Sequence, residues 1–129
     1  MRKTRCSVLS IALGLVVSQA SFAAFPDYGH ISSQCRLVIE HLKALTHGSR
    51  DVCRGDVDIA AAYITAAHTK IKNHTLESAL VSLYQGKHEL HDIAYSRPHC
   101  KDFAPLVKTD LAKVIEIISD VEVMGRIKA

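Results

Sequence analysis

The sequence predicts an all-α protein, a single antiparallel four-helix bundle stapled by a disulfide. Three observations lead there. Apolar residues recur at alternating spacings of four and three, the period of a helix with one buried face. Period-two alternation never lasts beyond about four residues, so no segment reads as a strand. The periodic segments run to roughly 16–23 residues with short links between them, which suits an up-down-up-down bundle.

Ahead of the helical region the chain opens with MRKTRC, followed by the apolar run VLSIALGLVV. A basic start and a run of about ten apolar residues are too short to span a bilayer. With the small side chains of Ser21 and Ala23 after them, they read as a secretory signal peptide, residues 1–23, cleaved after Ala23. No lipobox cysteine stands at the cleavage point, and Cys6 leaves with the signal. The expected product is residues 24–129, a helical domain that is periplasmic or secreted and makes no stable membrane insertion.

Cleavage also changes the charge. Arg2, Lys3 and Arg5 account for the whole formal excess of +3, so the remaining chain is neutral with its histidines uncharged. No basic stripe with interleaved aromatics is present, which argues against nucleic acid as a partner. All eight histidines stay in the domain, making it histidine-rich. They read as a solvated surface, or as a source of pH response or metal affinity.

The first helix is expected between an N-cap at Asp27 and a stop at Gly48, burying Ile31, Cys35, Val38, Leu42 and Leu45. The second, capped by Ser49 or Asp56, buries Cys53, Val57, Ala60, Ile64, Ala67 and Ile71, and its small residues AAAYITAA admit a close neighbour. The third runs from about Thr75 to Tyr95 over Leu76, Ala79, Leu80, Leu83, Leu90 and Ala94, with Gly86 where a backbone can cross. Pro98 breaks it. The fourth starts near Asp102, tolerates Pro105 in its first turn and buries Ala104, Val107, Leu111, Val114, Ile118 and Val121.

Three cysteines remain after cleavage, enough for one bridge in an oxidising compartment. Cys53 and Cys100 fall at the same bundle end, whereas Cys35 lies on the order of 18 Å below it at 1.5 Å per residue. Cys53–Cys100 is therefore the expected bridge, with Cys35–Cys100 possible only for a tilted first helix.

The third helix carries HELHD, His88 to Asp92. Its second histidine comes one residue too early for the HExxH zinc-protease motif. On a wheel with Leu83 inward, His91, Tyr84, Tyr95 and His88 lie about 80° to 140° round. Tyr84, His88, His91 and Tyr95 thus form one outward face, suited to recognising a protein. His88, His91 and Asp92 are also able to hold a divalent ion weakly. A second candidate metal set, Cys35, His68 and Met124, gathers with His30 and His74 at the end opposite the bridge. Its soft donors suit copper, and a His/Met pair can ligate haem noncovalently. Against this, a stripe cysteine behaves as a small buried hydrophobe and Met124 can simply fill the bundle end.

No nucleophile elbow or phosphate-binding glycine loop occurs, so an enzyme is not expected. The sequence points to a module that binds another protein, as an inhibitor, immunity, adaptor or chaperone-like factor. No cofactor is expected on that reading; the alternative is carriage of copper, zinc or haem.

Overall fold

Asp27 starts the fold. In the computed structural model, which describes residues 27–128, its carboxylate accepts the His30 backbone N–H at 2.7 Å and opens α1, Tyr28–Thr46. Such a cap satisfies an amide that the helix start leaves without an internal partner. The expected signal peptide and its cleavage point lie outside the described residues. α1 stops where Gly48 takes φ +69°, a left-handed conformation that glycine adopts without a Cβ penalty.

The second helix, α2, spans Arg54–Lys72, and neither expected cap closes it directly. Ser49 Oγ instead accepts the Asp51 N–H at 3.1 Å, and Asp51 Oδ1 accepts the Cys53 N–H at 2.8 Å. The loop itself relays the capping, which frees Asp56 for other contacts. At the far end His74 adopts φ +62° and stacks its ring on Tyr28, centroids 3.9 Å apart. That contact ties the α2–α3 turn to the start of α1.

α3 spans Leu76–Tyr95 and α4 spans Ala104–Lys128, with a 3-10 turn at Pro98–Cys100 between them. Gly86 of α3 is where α2 comes closest: a Cβ built there collides with Ile64 Cδ1 and comes within 3.5 Å of Tyr63 Cβ. Ala60, Ala61 and Ala67 on α2 are buried, as the small-residue run requires for this approach.

Each helix packs against its neighbours in sequence, and α1 closes the ring on α4. The four are thus an antiparallel bundle around one core. That core takes in the expected stripes except Leu45, Leu76, Leu80 and Ala104, which are only partly buried. It adds Ile39, Ile93, Phe103 and Ile117, because a bundle helix buries a stripe wider than a single row. Cys53 and Cys100 form the disulfide, with Cα atoms 4.9 Å apart, and Cys35 remains a free buried thiol. Among the described residues no helix is long and apolar enough to cross a membrane.

Candidate functional site

Positions 84, 88, 91 and 95 succeed one another by four, three and four residues, so a regular α3 must present them on one face. All four are exposed, with Tyr95 at 62%. The lower half of this ridge borders α2. There Tyr84 and His88 join Tyr63, Leu80, Val81, Gln85 and Glu89 around an open trough of about 600 Å³. In the upper half His91 and Tyr95 meet ring to ring at 5.0 Å, and Lys108 of α4 places its ammonium 5.1 Å from the Tyr95 ring. Lys87 lies likewise 5.6 Å from the centre of Tyr84. The result is an aromatic ridge bordered by cations, with an apolar trough at its foot.

The acidic members of HELHD serve a different purpose. Glu89 and Asp92 converge on Arg97, which donates from Nη1 to Glu89 at 2.6 Å and from Nη2 to Asp92 at 3.4 Å. Asp56 at the start of α2 takes a third bond from Nη1 at 3.0 Å. The hydrogen bond to Glu89 is the largest influence on the guanidinium; burial opposes it, and the charges of Glu89 and Asp56 add to it, so that the group is held still more firmly protonated than usual. Three carboxylates from two helices are therefore tied to the link that leads into α4. Asp92 also lies 3.2 Å from His88 and 3.9 Å from His91. The two histidines share this one carboxylate, which is already committed to Arg97.

The second candidate set is differently placed. Cys35 is fully buried in the core, and burial pushes its thiol up to about 12. Metals bind the thiolate, which this environment disfavours. His68 Nε2 is bonded to Ser32 Oγ at 2.7 Å, and its pKa is lowered by burial and by the charges of Lys72 and Arg36. His74 is stacked on Tyr28, and Met124 fills core space as a buried side chain.

Two further constellations were not apparent from the sequence. His41 Nδ1 meets Asp110 Oδ2 at 2.7 Å between α1 and α4, with Asp110 only 5% exposed. Asp110 precedes the stripe residue Leu111, so spacing alone gave no sign of it. The other surrounds the disulfide. Ligand atoms of Cys53, Asp56, His99 and Cys100 all fall within 4.8 Å of one another, the sole such group of three or more His, Cys, Asp or Glu among the described residues. His88, His91 and Asp92 do not gather that tightly. Once Cys53 pairs with Cys100, the pattern Cys-x-x-Asp on one segment and His-Cys on the other carries this proximity.

No family model, curated protein or solved structure matches the chain. Its function must therefore be argued from these sites.

Proposed function

We propose that the chain is an exported helical module, periplasmic or secreted, that acts by binding another protein through the outward face of α3. The trough between Tyr63, Val81, Tyr84 and His88 is the observation that carries this reading. Tyrosine presents a large apolar contact area with a polar tip at little conformational cost, and such residues dominate the energetics of many interfaces. The trough suits one large apolar side chain of a partner segment. Gln85, His88 and Glu89 on its border supply polar bonds that would fix the register.

Carriage of copper, zinc or haem by Cys35, His68 and Met124 has weaker support. The thiol is buried in its protonated form and the imidazole nitrogen already has a hydroxyl partner. The α3 histidines share one carboxylate that Arg97 also claims.

The test is capture from the protein's native compartment with and without the double substitution Tyr84→Ala, His88→Ala. Both side chains are exposed, so the helical signal and thermal midpoint should stay as they are. Loss of a stoichiometric partner with folding intact is the expected result. Equal recovery of that partner by both proteins would refute the assignment.

A further inference from the structure

The cluster around the disulfide has a chemistry that the binding face does not use. Cys53 is the residue before α2 and Asp56 lies in its first turn, while His99 and Cys100 belong to the 3-10 turn. Two short segments thus contribute two donors each, Cys53 and Asp56 at the spacing common in zinc sites and His99 and Cys100 side by side. Two sulfurs, an imidazole nitrogen and a carboxylate oxygen make a donor set that suits zinc. We propose that reduction of Cys53–Cys100 converts this bundle end into a zinc site, with Cys53, Cys100, His99 and Asp56 as the four ligands.

The geometry is prepared for the change. His99 Nε2 already lies 3.0 Å from Asp56 Oδ2, and Cys100 Sγ lies 3.6 Å from the same oxygen. Both cysteines are fully buried, whereas the His99 side chain is 49% exposed and Asp56 is 23% exposed, so an ion reaches the sulfurs from the solvent side of these two. Asp56 is bonded to Arg97 at 3.0 Å, and giving that bond up to a metal leaves the guanidinium with Glu89 at 2.6 Å and Asp92 at 3.4 Å. Unlike Cys35, this pair has carboxylate and imidazole donors beside it to complete a metal's shell. The node sets three carboxylates against one guanidinium, and a divalent cation offsets both that excess and the two thiolates formed as it displaces the thiol protons.

The chemistry balances in two steps. A dithiol reductant gives two electrons and two protons to the bridge, becoming a disulfide itself and leaving two cysteine thiols. Zn²⁺ then replaces both thiol protons, which pass to solvent. Oxidation reverses the sequence and expels the ion. The covalent staple and the metal staple join the same two segments, so either one holds the start of α2 against the α3–α4 link.

The test uses the Cys35→Ala protein, in which the bridge supplies the only thiols of the domain. It is reduced with a dithiol, desalted without oxygen and titrated with Co²⁺, then with Zn²⁺. The expected result is one Co²⁺ per chain, with tetrahedral visible bands and a thiolate charge-transfer band, displaced by Zn²⁺ with release of two protons. The oxidised protein should show none of this. His99→Ala and Asp56→Asn should each weaken binding by at least about tenfold, the scale at which even indirect partners of a metal act. If reduction lowers the helical signal, Zn²⁺ should restore it. A folded reduced protein without the cobalt bands, affinity indifferent to both substitutions, or helicity that Zn²⁺ fails to restore would each overturn the proposal.

Discussion

Asp110 shows what one buried carboxylate can do to a small bundle. Burial raises its pKa, and the hydrogen bond and charge of His41 offset only part of that rise. A group with a raised folded pKa contributes fully below its unfolded value, about 3.9 for aspartate, and that contribution is lost as pH rises through the folded value. Above the folded value the ionised side chain therefore costs stability. Asp110→Asn keeps an acceptor for His41 while removing the charge. In urea unfolding, its stability relative to the unsubstituted protein should rise as pH goes from below the unfolded value up through the higher folded value, the range over which the buried carboxyl ionises. A constant difference across the range would mean that the carboxyl is not penalised by the fold.

Gly86 is the corresponding case without charge. Alanine there gains helix propensity of about 1 kcal/mol. It also drives a methyl group into Ile64 Cδ1, and Ile64 is fully buried. Overpacking of this kind costs about 1–3 kcal/mol, so the net change expected for Gly86→Ala is a loss of about 1 kcal/mol. Ile64→Val removes the atom in the way. Combined with Gly86→Ala, it should be at least as stable as Ile64→Val alone, a non-additive pair readable by chemical denaturation.

At the scale of elements, the helices were legible because their period is enforced by burial. Val107, Leu111, Val114 and Val121 recur as a helix requires, and each is buried as expected. The start of α2 was less legible. Ser49 and Asp56 both look like caps, but the cap is a relay in which the Ser49 and Asp51 side chains each accept an N–H two residues on, a turn pattern that a search for one cap residue passes over. The α3 face was readable in outline, since four exposed positions at helical spacing must align. Its trough was not, because Tyr63 comes from another helix and side-chain periodicity carries no information about which helices meet. The same holds for Arg97. It lies just past the end of α3 in an apparently simple break, yet it collects carboxylates from α2 and α3 that periodicity marks only as polar.

The whole molecule brings the two ties at that bundle end into one argument. The bridge joins residues 47 apart in sequence, and closing a loop of that size removes about 4 kcal/mol of unfolded-state entropy. Replacing Cys53 and Cys100 together by serine should thus lower the thermal midpoint by roughly 15–30 °C for a domain of this size. Arg97 holds the same segments through Asp56, but it acts in the folded state, whereas the bridge acts mainly on the unfolded chain. If the two are independent, Arg97→Ala has one cost in both backgrounds. The proximity of Asp56 to Cys100 argues otherwise: without the bridge, the contacts of Asp56 with Arg97 and His99, each at 3.0 Å, remain to clamp α2 to the link before α4. Arg97→Ala should therefore cost more in the serine protein than in the oxidised one, by about 0.5–3 kcal/mol, the range of couplings between neighbouring groups. A double-mutant cycle by urea unfolding measures the difference. An additive result would mean that Arg97 and the bridge stabilise this end independently, each by its own cost.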